Sequence, residues 1–200
     1  MKLAPHLTAL VASLALTTFS AHAQTTTPPE RTPTAPPVGQ VEPAAPVEDW
    51  QSSLVREDER FLENAIQGSH AEIAGSQLAL EKTKDADVRT FAQTMIDEHG
   101  QMVKEAEALA TQKGMTPPTG PSVMQSTEIT TLKVLTGGAF DAMYVNRIGV
   151  AAHEATVEMF EKASQEAQDP DVKALAVEAL PKLREHLEMA QALDEKQDKQ

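Results

Sequence analysis

The chain has 200 residues, with 30 acidic and 17 basic side chains and no cysteine. Without cysteine there is no disulfide, no thiolate metal site, no cysteine nucleophile and no lipid-modified cysteine behind an export signal. The acidic excess repels nucleic acid and anionic headgroups, which excludes DNA or RNA binding as the function. In chain order, residues 1–23 read MKLAPHLTALVASLALTTFSAHA, with one lysine, an apolar run from Leu7 to Phe19 and an Ala-x-Ala end. That is the pattern of a secretory signal peptide cleaved after Ala23, because the apolar run is shorter than the ~20 residues a membrane span requires. With Lys2 removed, 30 acids face 16 bases in the mature chain. No later transmembrane candidate follows.

Residues 24–50 are dominated by Pro, Thr and Ala and carry no apolar periodicity. They are expected to form an extended, disordered tether. From residue 51 to 196 the composition turns to Ala, Glu, Leu, Lys, Gln and Met, with one Tyr and few β-branched runs, which favours helix. Four long amphipathic helices are predicted by apolar residues at i, i+3, i+4 and i+7. The first spans about 57–83, with Phe61, Leu62, Ala65, Ile66, Ile73 and Leu80 inward. The second spans about 85–113, with Val88, Phe91, Met95, Met102, Ala106 and Leu109 inward and Gly114 as its C-cap. A loop with Pro117 and Pro118 and a short helix at about 124–135 lead to Gly137-Gly138. The third long helix spans about 140–167, with Met143, Tyr144, Val150, Val157 and Phe160 inward. The fourth spans about 170–194, with Val172, Leu175, Ala179, Leu183, Leu187 and Ala190 inward and Pro181 inside it.

The segments DADV (85–88) and DPDV (169–172) recur at matching places, each between two long helices. Asp can cap the new helix, and Pro170 suits a first turn. The expected architecture is therefore all-α. Two antiparallel hairpins are joined by a long crossover containing a short helix, which is the ferritin-like four-helix topology.

His99, His153 and His186 each fall three or four residues from inward apolar positions, and Glu72, seven after Ala65 and seven before Ala79, falls close to the inward stripe of the first helix. His70 lies nearer the edge of that stripe. At ~1.5 Å rise per residue, Glu72 and His99 stand ~18 and ~21 Å from their shared turn, and His153 and His186 ~22 and ~26 Å from theirs. The four groups are expected to meet at mid-bundle. Two readings fit such a meeting. One is a structural polar layer in which each ring nitrogen finds a partner, with Glu72 or Tyr144 available. The other is a metal site formed by Glu72, His99, His153 and His186, a ligand set that suits Zn, Cu or Fe. A di-iron centre is disfavoured, because Glu-x-x-His is missing: Ile96 stands three before His99 and Leu183 three before His186. Glu98 and Glu185 directly precede histidines and are expected to face the rim or solvent. Met95, Met102, Met143 and Met159 read as core filler.

The segments EIAGSQLALEKTKDADVRTFAQTMIDEH, LTGGAFDAMYVNRIGVAAHEATVEMFEKA and LPKLREHLEMAQAL occur in order across residues 58–193. Together they resemble an exported bacterial ferritin-like family that carries a domain-of-unknown-function label and is often named as outer membrane proteins. The resemblance implies the fold, an envelope location and recurring histidines at His99, His153 and His186. It implies no reaction. The expectation for function is a non-enzymatic envelope protein whose partner is a metal ion or another envelope protein, with a role in envelope stress. The alternative is a structural or protein-interaction module without metal; a di-iron oxidoreductase ranks below both.

Overall fold

The computed structural model describes residues 52–197 and 199. The signal peptide and the Pro-rich tether expected from the sequence lie outside the described residues. The helices are α1 (Arg56–Lys82), α2 (Ala86–Gln112), α3 (Val123–Val134), α4 (Gly137–Tyr144), α5 (Ala152–Glu166) and α6 (Pro170–Gln197). A π-helical segment (Val145–Ala151) fuses α4 to α5. The protein is an all-α bundle. Among the described residues, no helix is long and apolar enough to cross a membrane.

Local chemistry sets the helix ends where the sequence places them. Asp85 Oδ1 accepts from the backbone N–H groups of Asp87 and Val88 at 2.8 and 3.1 Å, and so caps α2. Asp169 Oδ1 repeats this on α6, accepting from Asp171 and Val172 at 2.9 and 3.2 Å. These caps satisfy donors that a helix start leaves open. At the far end of α2, Gly114 takes a φ of +82°. There the Met115 N–H reaches Ala110 O at 2.8 Å and the Gly114 N–H reaches Thr111 O at 3.0 Å, which is a Schellman stop. Short turns thus fold α1 against α2 and α5 against α6 as antiparallel hairpins. The crossover carries α3, which opens with a Ser122/Gln125 capping box. Lys82 Nζ ties its end to α1 by donating to Lys133 O at 2.7 Å and Leu135 O at 2.9 Å.

Two expectations for the third long helix need correction. The third long helix is not regular: within the π-helical segment the Ala152 N–H reaches back five residues to Arg147 O. A regular helix turns about 100° per residue, so Tyr144 and His153, nine residues apart, would face opposite ways. The extra residue of the π-helical turn removes about 100° of that rotation, and both side chains are fully buried. The same register shift turns Met143 outward, 38% exposed, rather than into the core. Pro181 does not break α6. It lies on the exposed side of the helix, where the carbonyl it frees can meet water.

The core divides into two apolar clusters. One packs Phe61, Leu62 and Ile66 of α1 with Val103, Phe160 and Leu183. The other packs Phe91 and Met95 of α2 with Phe140, Tyr144, Ile148 and Leu193. On every long helix of the bundle, the polar candidate falls in sequence between the stretches that feed these clusters.

Candidate metal centre

Glu72, His99, His153 and His186 are each at most 2% exposed. One ligand-capable nitrogen from each of the three rings lies within 4.8 Å of the other two. His99 Nε2 and His153 Nε2 are 3.3 Å apart. A tetrahedral ion with metal–nitrogen bonds of ~2.0–2.1 Å holds its ligands about 3.3–3.4 Å apart, so this pair already has that spacing. Glu72 Oε2 sits 2.5 Å from His99 Nε2 and 3.3 Å from His153 Nε2. It nevertheless lies without an aligned hydrogen-bond donor. The sequence expectation that these four residues meet at mid-bundle is matched for three rings as a set. Glu72 lies directly against two of them.

Outer partners orient the rings. His153 Nδ1 donates to Gly149 O at 2.8 Å, with Ile148 O at 3.3 Å. A carbonyl only accepts, so Nδ1 carries the proton and Nε2 of the neutral ring keeps its lone pair. His186 Nε2 meets Glu98 Oε2 at 2.5 Å. The carboxylate makes that nitrogen the donor and leaves Nδ1 bare, buried and unpartnered. His99 Nδ1 stands 3.5 Å from Ser69 Oγ, a hydroxyl that can donate or accept.

The electrostatics follow from this packing. Burial opposes ionisation of Glu72, but its attraction to the adjacent His153 and His99 rings whenever either takes up a proton outweighs burial and lowers its pKa to about 2. For His186 burial dominates; with His99 and His153 nearby it overrides the pull of Glu98 and lowers the pKa to about 4. Glu98 is also disfavoured by burial, yet its hydrogen bonds from His186 and Lys182 hold it below the ordinary carboxylate range.

Four partners go beyond the sequence reading. Glu98 was expected to face the rim or solvent; it stands at the rim, 34% exposed, and also turns one oxygen onto buried His186. It lies on the seam between α2 and α6, where a side chain can touch water and core at once. Tyr144 was a candidate partner for a histidine and instead pairs with Ser76 Oγ at 2.8 Å. Burial raises the Tyr144 phenol pKa far above its ordinary value. Ser69 and the Gly149 carbonyl gave no sequence signal, since a serine or a backbone oxygen becomes a partner only through packing. His70 stays at the edge, 3.2 Å from Glu107.

Residues 43–193 match the family profile described as a domain of unknown function, DUF4142. The chain belongs to the DUF4142 family. No curated protein matches it. Among solved structures, it is similar to a DUF305 fragment from Deinococcus radiodurans, with a TM-score of 0.63 and 16% identity, covering 72% of this chain and 98% of that one. It is also similar to CopM in the Cu(II)-bound form, with a TM-score of 0.58 and 16% identity over 70% of this chain and 96% of that one. A third similar structure is a conserved hypothetical protein, rv2844, from Mycobacterium tuberculosis. It has a TM-score of 0.54 and 16% identity, covering 69% and 90%. At such identity these likenesses concern the fold alone.

Proposed function

We propose that the mid-bundle layer binds one transition-metal ion through His99, His153 and His186, with Glu72 as the carboxylate ligand. The observation that carries this reading is the convergence of three buried imidazoles, two of them directly against a buried carboxylate oxygen that has no aligned donor. A carboxylate removed from water requires a cation or several donors. With His153 and His186 oriented by outer partners, the layer offers bare nitrogens rather than donors. Ligating histidines characteristically give their second nitrogen to a carbonyl or carboxylate, as His153 does to Gly149 and His186 to Glu98. Imidazole with carboxylate suits Zn, Cu or Fe. CopM, a chain of similar fold, is known in a Cu(II)-bound form, so copper is the first ion to test. Bound there, the ion would supply the positive charge that Glu72 lacks and would cross-link both hairpins.

The same proposal takes the topology as ferritin-like and the chain as exported to the envelope. Residues 1–23 act as its signal and the Pro-rich stretch as its tether, with a non-enzymatic role in handling metal under envelope stress. Its support is the sequence pattern of those segments. The test is elemental analysis with calorimetric titration of Cu2+, Zn2+ and Fe2+ into purified protein. One ion per chain and a raised melting temperature are expected, both lost in His153→Ala. No uptake at micromolar metal with an unchanged melting temperature overturns the reading.

A metal-free structural layer is the second reading, favoured by the fact that each ring already has one outer partner. It requires that no ion be taken up. It also requires that a Glu72→Leu/His99→Leu double variant keep wild-type stability or exceed it, as replacement of buried ion pairs by apolar groups often does.

A further inference from the structure

We infer that metal ions reach the layer through the cleft between α2 and α6, and that Glu98 is the group that passes them inward. The inference rests on the metal-binding reading above. The layer is sealed: its three rings and Glu72 are each at most 2% exposed, and Ser69 behind His99 is 7% exposed. Glu98 is different. Its side chain is 34% exposed, with Oε2 at 2.5 Å from His186 Nε2 and Oε1 at 3.4 Å from Lys182 Nζ. It therefore reaches both the solvent and a ring of the triad.

A cavity of about 340 Å³ opens at this place. Ser69, Glu98, Met102, Glu105, Glu178 and Lys182 are among the residues lining it. Two of these, Ser69 and Glu98, are the outer partners of His99 and His186, so the cavity ends against the layer. Three carboxylates against one ammonium make its mouth attractive to cations. Lys182 is no fixed plug, because it also pairs with Glu185 at 3.1 Å and can leave Glu98 without losing its counter-charge. A second cavity of about 680 Å³ lies among α1, α3 and α5 and touches Glu72. It reaches only a carboxylate that is 2% exposed, and the Arg147–Glu128 pair at 2.6 Å leaves its wall without the acidic excess of the first cavity.

The experiment measures Cu2+ and Zn2+ uptake and release by the purified full chain in stopped flow, against a chromogenic chelator. Glu105→Gln/Glu178→Gln is expected to slow uptake about three- to tenfold and to flatten its salt dependence, with release unchanged. Ala179→Phe, which fills the cleft, should slow uptake and release by the same factor and leave Kd unchanged. Glu98→Gln keeps an acceptor for His186 and should slow uptake more than release. Ala155→Phe, which fills the second cavity, should leave both rates at wild-type values. Wild-type rates in the Ala179 and Glu105/Glu178 variants, or slowing in Ala155→Phe, overturn the inference while leaving the metal site standing. A wild-type chain that takes up no ion removes the metal reading itself. The two exposed glutamates test the route without any risk to the core.

Discussion

The two hairpins bring two residues each to the same layer, but they do so by different means. In the first, α1 and α2 are unbroken helices of 27 residues, and Glu72 and His99 sit where regular periodicity puts them. In the second, a π-helical segment precedes His153, and Pro181 stands five residues before His186. The irregular hairpin gains something that the regular one cannot offer. Its backbone supplies the Gly149 carbonyl that orients His153, while His99 has only a serine hydroxyl at 3.5 Å. The difference teaches that the first hairpin holds its polar pair by charge, and the second by backbone geometry and an outer carboxylate.

The largest test of that contrast removes charge from the first hairpin. His99→Leu leaves Glu72 buried with one close imidazole, and should cost about 3–5 kcal/mol in urea unfolding at pH 7. The Glu72→Leu/His99→Leu double variant should recover most of that loss. An equal loss in both would mean that packing, not charge, holds this pair.

Acid should separate the hairpins next. In metal-free protein the folded pKa of His186 is about 4 against an ordinary 6.5. The unfolded chain then binds the extra proton first, so stability falls as pH drops from 6.5 to 4, by up to about 3 kcal/mol. Glu72 behaves differently. Its folded pKa of about 2 lies below the ordinary 4.5, so its contribution is present above pH 4.5 and lost between 4.5 and 2. Unfolding measured across pH should show two successive losses, and His186→Gln should remove only the upper one.

Glycines in the two hairpins give a smaller contrast. A Cβ on Gly149 would lie 3.1 Å from Ala190 Cβ and 3.5 Å from a Phe91 ring carbon. Gly149→Val should cost about 2 kcal/mol by overpacking and disturb His153, visible as weakened metal uptake. A Cβ on Gly75 in α1 meets Ile148 Cγ1 at 3.3 Å. Because that side chain can give, and alanine favours helix by up to about 1 kcal/mol over glycine, Gly75→Ala should be close to neutral. Comparable losses would contradict the special demand of the π-helical segment.

The smallest effect compares the turns. Asp85→Ala should cost about 1 kcal/mol by loss of the α2 cap. Asp169→Ala should cost more, because the same side chain also pairs with Lys113 at 2.7 Å. The second turn is further clamped by buried Asp58, which accepts from the Gln168 and Asp169 N–H groups at 3.0 and 2.7 Å. Chemical denaturation of both variants measures the difference.

Much of this was legible in the residues. Asp85, Asp169 and Gly114 mark helix ends through local hydrogen bonds and backbone conformation, which need no distant partner. The similar heights of Glu72, His99, His153 and His186 follow from residue counts and a constant helical rise. Glu98 stands at the rim where the sequence puts it, but its contact with His186 was not legible, because only the approach of α6 shows that rim and core share a partner. Met143 was misplaced because a π-helical turn leaves no residue-type mark.

The sequence by itself determined an all-α chain of two capped hairpins with four polar groups at one level, since periodicity, capping and rise are local properties. Tertiary structure alone decided which nitrogen of each ring is bare, which carboxylate stands behind His186 and where the third helix gains its extra residue. Those outcomes depend on helices packing within a few ångströms of one another, and contacts of that range are set by the whole bundle.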